Sequence, residues 1–321
     1  MRHILPASAF LFGLSFSCFA SVDNGLLSLV PPGAKVISSI DVESARNSSF
    51  GQYILSNSTS HANNPDFEQF MQQTGFDPRR DLQYILFASF GPGGPDRPSR
   101  FAILARGNFD VPRLEAAAKV KGATVQSYQG VDVVVNHSHD RQQSGFAFPE
   151  VGVAVVADVA TLHQIIGNLA TPTTLDPGIA QLIGQVGPNH DAWFVSMVPG
   201  FRFAKHLAAE NDHSMPQARA LEGVQESSGG VRFGDTVELS LDAVARSPQD
   251  ATALADVIRL LASTVQVQRQ SDPRAGIFAA ALDKMTLSTS GDDLHVAISM
   301  PEKSLEQLAS LGPKHGAGVA H

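Results

Sequence analysis

Two imidazoles spaced two residues apart, in His137-Ser138-His139-Asp140, form the densest group of metal-ligating side chains in the 321-residue sequence. On an extended strand, residues i and i+2 share a face, so both rings would reach one metal ion, whose bound water could serve as a hydrolytic nucleophile. The run that follows, Arg141-Gln142-Gln143-Ser144-Gly145, is polar and reads as an exposed loop. No third ligand can be named and no His-Glu-x-x-His motif occurs. A solvated loop is therefore the expectation for His137 and His139, and a metal-dependent hydrolase is the alternative. A second set, His206, Glu210 and His213, has i, i+4, i+7 spacing on a helix starting near Phe201. That spacing also describes the wet face opposite Phe203, Ala204 and Leu207, and Asn211-Asp212 would end the helix before His213 aligns.

Other familiar chemistries lack their parts. Phe90-Gly91-Pro92-Gly93-Gly94-Pro95 has glycines but no Lys-Ser/Thr and no following helix. Its two prolines also remove N–H donors that a phosphate would need, so it reads as a loop between strands. There is no Gly-x-Ser-x-Gly elbow and no Ser-x-x-Lys pair. No catalytic residue and no cofactor is nominated, and the chain reads as a binding protein more readily than as an enzyme. Asn47-Ser48-Ser49 and Asn57-Ser58-Thr59 match the glycosylation acceptor pattern, which matters only in a eukaryotic secretory pathway.

The elements that would position any site follow an order that repeats. A proline turn and short strand (35–41 and 193–198) lead to a helix (66–73 and 201–210). Paired strands follow at 84–90 with 100–106, and at 231–233 with 236–245. At the next junction, Ala105-Arg106-Gly107-Asn108-Phe109-Asp110 aligns with Ala245-Arg246-Ser247-Pro248-Gln249-Asp250, and Ala, Arg and Asp are identical. Asp110 and Asp250 sit where a helix N-cap or first-turn acid is wanted. A helix then carries Leu114, Ala117 and Ala118 in the first copy, and Leu254, Val257, Ile258, Leu261 and Val265 in the second. Hairpins turning at Gln129-Gly130 and Gly291-Asp292 close each copy.

The expected fold is α+β: two similar β-α-β-β-α-β-β repeats, each an antiparallel sheet with helices packed on one face, ferredoxin-like in spirit. A further strand near 152–157 and helices around Leu162, Ile165, Ile166 and Leu169, and around Ile179, Leu182 and Ile183, would join them. The domain expectation is a signal peptide at 1–20, a first repeat with its connecting helices at 25–186, a second repeat at 187–311, and a flexible tail at 312–321.

Residues 1–20 predict export. Arg2 and His3 precede an apolar run from Ile4 to Phe16, and Cys18-Phe19-Ala20 puts small residues at −3 and −1 of a cut before Ser21. Cys18 also raises the alternative of a lipid anchor, but Ser15 and bulky Phe16 occupy the positions where a lipobox wants an aliphatic and a small residue. Removing this segment leaves a chain without cysteine, hence without a disulfide or thiolate site. It also leaves 22 Lys and Arg against 31 Asp and Glu, a formal charge of −9. That balance argues against nucleic acid as a partner, and no apolar run is long enough for an integral membrane span.

The corner Thr74-Gly75-Phe76-Asp77-Pro78-Arg79-Arg80-Asp81-Leu82 reads as structural, with Gly75 ending a helix and Asp81 pairing with Arg79 or Arg80 or capping a turn. Through this corner and the Ala-Arg-Gly-x-Phe-Asp junction the chain resembles uncharacterised exported bacterial proteins of duplicated α+β architecture. The resemblance implies a fold and carries no catalytic residues. The functional expectation is a non-enzymatic module of the bacterial envelope or periplasm that binds an envelope protein or small ligand, using its sheet faces or the cleft between repeats. A surface scaffold is the third reading.

Overall fold

A computed structural model describes residues 22–52, 65–90, 100–136, 143–200 and 220–310. Cys18, Asn57, Gly91 to Pro95, His137, His139, His206, Glu210 and His213 lie outside the described residues.

Among the described residues, twelve strands form one antiparallel sheet. They are β1 (Val36–Asp41), β2 (Leu82–Ser89), β3 (Phe101–Gly107), β4 (Thr124–Tyr128), β5 (Val131–Asn136), β6 (Ser144–Glu150), β7 (Val153–Asp158), β8 (Ala192–Ser196), β9 (Val224–Arg232), β10 (Thr236–Ala245), β11 (Thr286–Ser290) and β12 (Asp293–Pro301). Their order across the sheet is β11-β12-β10-β9-β8-β1-β2-β3-β7-β6-β5-β4. The helices are α1 (Asn24–Leu29), α2 (Val42–Asn47), α3 (Pro65–Thr74), α4 (Pro78–Asp81), α5 (Val111–Val120), α6 (Val159–Ala170), α7 (Pro177–Val186), α8 (Pro248–Gln268), α9 (Pro273–Leu282) and α10 (Glu302–Ser310).

The α+β class is present, but the expectation of a separate sheet in each half is corrected. β1 pairs with β8 in antiparallel register, Ser38 opposite Phe194, so one sheet is continuous through the middle. The pairing has a physical reason: two separate sheets would leave β1 and β8 as edges with unpaired N–H and C=O groups, and joining them removes both edges. Helices pack on both faces rather than one. On the first face, Leu26 and Leu29 of α1, Leu162, Ile165 and Ile166 of α6, and Ile179 and Ile183 of α7 cover Ile37, Leu86, Leu104, Val155, Trp193 and Val195. This core takes residues from both sides of position 186. On the second face, Leu254 and Ala255 of α8 pack on Ala243, Leu294 and Val296. The registers place Ala105, Val134, Phe146 and Val156 on that second face as well.

Local signals account for much of this. The side chains of Asp110, Asp158 and Asp176 accept backbone N–H groups at the starts of α5, α6 and α7. Ser247 caps α8, while Asp250 lies in its first turn and pairs with Arg246. Gln129 and Gly130 both have positive φ, as a two-residue hairpin turn of the right twist requires. Arg106 departs from its counterpart Arg246: it leaves its own junction and pairs with Asp23, the N-cap of α1, fastening the start of the described chain to β3.

Burial raises the Asp23 pKa, but hydrogen bonds from Arg106 and the Leu26 N–H more than offset this, so its carboxyl is held below the ordinary value. A lowered folded-state pKa contributes stability above the unfolded pKa, and that contribution is lost as pH falls through the folded pKa. The unfolding midpoint should therefore drop as pH falls below about 4, and Asp23→Asn should make that limb shallower while lowering stability at pH 7. Urea titrations from pH 2 to 7 check this. An unchanged acid limb in the variant would refute the assignment.

Candidate functional site

The two segments that stood out in the sequence, the corner at 74–82 and the junction at 105–110, come together at one end of α5. Gly75 ends α3 at φ +71°, and its N–H donates to the Met71 carbonyl. Asp77 caps the single turn of α4. Arg79 pairs with Asp77 at 2.9 Å and Arg80 with Asp81 at 2.7 Å. Hydrogen bonds from those guanidinium groups are the main reason both carboxyls are held below the ordinary carboxylate pKa. The Asp77 N–H also donates to Asp81 Oδ2 at 2.7 Å. The charges of the corner are spent on one another, which fits its structural reading.

Gly107 is where corner and junction touch. A Cβ there would sit 2.4 Å from the Asp81 carbonyl oxygen and 3.2 Å from Phe109 Cζ. Backbone would have to move, so Gly107→Ala is expected to cost about 1–3 kcal/mol of stability, as overpacking does. Denaturant unfolding reads this directly, and a neutral substitution would show that the contact is not made.

This close approach turns aromatic rings inward. Phe70 of α3 lies 6.4 Å from Phe76, Phe76 stacks on Phe109 at 5.5 Å, Phe109 lies 5.6 Å from Phe148 of β6, and Phe148 lies 5.7 Å from Phe146. Five phenyl rings thus form one connected row, at separations where aromatic pairs attract. They line a cavity of about 530 Å³ between the sheet and helices α3 and α5. Ala117 and Ala118 of α5 stand over it, with Ala105 and Ala154 on the strands beneath. The helix meets the sheet at β5, but small side chains on both walls leave a gap beside that contact, and Val156 in the floor is 43% exposed. Small-molecule sites measure roughly 300–1,000 Å³, so this solvent-open space has the dimensions of a ligand site. It lies wholly within residues 70–156 and not between the two halves.

Polar chemistry gathers elsewhere. Ser240 Oγ lies 2.8 Å from His190 Nε2, and His190 Nδ1 lies 2.8 Å from the Val186 carbonyl at the end of α7. With Nδ1–H donating to that carbonyl, Nε2 accepts from the serine hydroxyl. The contact resembles a nucleophile and its base. Its position, four residues beyond an orphan helix carbonyl, assigns it to closing the C-terminus of α7 and tying it to β10. His295 and Asp242 pair at 2.7 Å on the same sheet face, exposed to solvent. Neither pair was visible in the sequence, because each joins residues at least fifty positions apart. Among the described residues, no three His, Cys, Asp or Glu side chains gather as a metal site, and no helix is long and apolar enough to cross a membrane.

No protein-family model matches the chain and no curated protein is similar to it in sequence, so the resemblance drawn from the corner and the junction stands on those residues alone. A solved structure, that of crystal form I of TP0453, is similar with a TM-score of 0.47 at 10% identity. The similarity covers 89% of this chain and 96% of that one, and at this level it carries no argument about function.

Proposed function

We propose that this protein is an exported, non-enzymatic binding module, with Met1 to Ala20 as its export signal, that takes an apolar small molecule between α5 and the sheet. One observation carries the reading: a cavity of about 530 Å³ lined by a connected row of five phenylalanines. Such a lining offers area and ring faces but few hydrogen-bonding groups, so it selects for apolar surface rather than for a pattern of donors. The test is a fluorescence titration of the purified protein with the neutral apolar probe N-phenyl-1-naphthylamine. Saturable binding at one site per chain is expected, and its absence would overturn the reading.

The same reading treats the two halves as copies. Outward from the central β1 and β8, the strands β2, β3 and the hairpin β5-β4 are matched in order by β9, β10 and the hairpin β12-β11, with β6 and β7 as an added pair. α5 follows β3 as α8 follows β10, and both lie on the second face. The added pair supplies Phe146, Phe148, Ala154 and Val156, four of the residues that line the cavity. In this scheme the insertion completes a site whose other walls come from α3, the corner, β3, β5 and α5.

A further inference from the structure

The cavity is polarised end to end, and this gives its ligand an orientation. The phenylalanine row starts near the junction, where β3 runs into α5, and continues along β6 from Phe148 to Phe146, two residues short of Ser144. The other end follows from strand register. Thr124, three residues beyond Lys121, pairs with Val135; the next residue, Asn136, pairs with Ser144. Lys121, Asn136 and Ser144 all line the cavity and all are exposed, so the space opens to solvent past an ammonium, an amide and a hydroxyl.

The charges at the two ends differ in availability. Near the phenylalanines, Arg80 pairs with Asp81 and Arg113 with Asp110. Lys121 enters no ion pair among the described residues. Resting on the apolar-ligand reading, we infer that the occupant is a single-chain amphiphile with an anionic end, a long-chain carboxylate, lying with its tail along the phenylalanine row and its carboxylate beside Lys121. Three features support this occupant over a compact apolar molecule: an aromatic lining continuous from Phe76 to Phe146 and followed in register by Ser144 and Asn136, polar lining side chains at that end only, and a cation there that can meet a carboxylate. Asn136 and Ser144 add donors for the second carboxylate oxygen.

Competition separates this inference from the reading beneath it. Palmitic acid and 1-hexadecanol, which share a chain and differ in the head, are each used to displace N-phenyl-1-naphthylamine from the wild-type protein and from Lys121→Glu. The acid is expected to bind the wild type about tenfold more tightly than the alcohol. Lys121→Glu is expected to weaken the acid at least tenfold and to leave the alcohol within twofold. Since Lys121 is exposed, the variant should fold, and unchanged alcohol binding verifies that it has. Equal binding of acid and alcohol to the wild type, or an equal effect of the substitution on both, overturns the orientation while leaving the apolar site standing. Failure of both compounds to displace a probe that binds overturns the long-chain occupant, whereas failure of the probe itself to bind overturns the site.

Discussion

Ala118→Phe should abolish binding of the apolar probe, or weaken it at least tenfold, without destabilising the protein. Ala118 lies one turn from Leu114 on α5, and both line the cavity opposite Ala105 and Ala154. A phenyl ring there enters space that no side chain occupies. It therefore displaces a ligand without forcing the strain that overpacking a filled core would bring. Burying the ring against Phe109 and Phe146 also removes apolar surface from water at about 25 cal/mol per Å². The unfolding midpoint in urea is expected to stay level or rise while the probe no longer titrates. Full binding by the variant would place the ligand elsewhere, and a large fall in stability would mean that the space beside Ala118 is already filled.

The largest effect on stability is expected at Leu104. Its side chain is fully buried at the centre of the first face, with Leu86 and Val155 directly opposite it on the neighbouring strands, both also fully buried. Truncation to alanine removes the transfer energy of three carbons and leaves a cavity that packed neighbours on three sides cannot fill. The cost is about 2–5 kcal/mol. Against a typical total stability of about 5–15 kcal/mol, that is a large fraction. Urea unfolding should show a lower midpoint with an unchanged slope. The paired control is Val156→Ala, one strand away and on the opposite face, where the side chain is 43% exposed. There the loss should stay below about 1 kcal/mol. Because a one-residue slip exchanges the faces of a strand, reversed magnitudes at the two positions would refute the register.

Local order was legible where it depends on neighbours in sequence. The hairpin turning at Gln129-Gly130, the helix start at Asp110, the stop at Gly75 and the strand following Gly152 are each written in a few adjacent residues whose backbone preferences decide the conformation. Where a segment lacks such a signal, it was missed. β6 begins with Ser144-Gly145 and contains Pro149, so its N-terminal residues carry the preferences of a loop. β9 runs through Gln225-Glu226-Ser227-Ser228-Gly229-Gly230, which has no apolar alternation, so only its end near Val231 was expected. α9 is an alanine-rich helix of little amphipathicity, with no apolar stripe to signal it. The stripe on α8 was read correctly as helical, yet Leu261, counted on its inner side, is 50% exposed because only the first part of this long helix rests on strands.

By itself, then, the sequence determined the α+β class, the strand and helix order at most positions, the helix cap at Asp110, and an N-terminal segment with the anatomy of an export signal. These follow from interactions spanning a few residues, whose energies depend little on the rest of the chain. Only the tertiary structure decided that β1 and β8 join two halves into one sheet, that helices cover both faces, and that Phe70, Phe76, Phe109, Phe146 and Phe148 meet in one row. Phenylalanine is equally at home in a filled core and in the wall of a ligand site. What separates the two is whether the opposing surface comes close enough to fill the space. That distance is set by Ala117 and Ala118 facing Ala105 and Ala154 across a helix–sheet contact, and no spacing within a single segment encodes it.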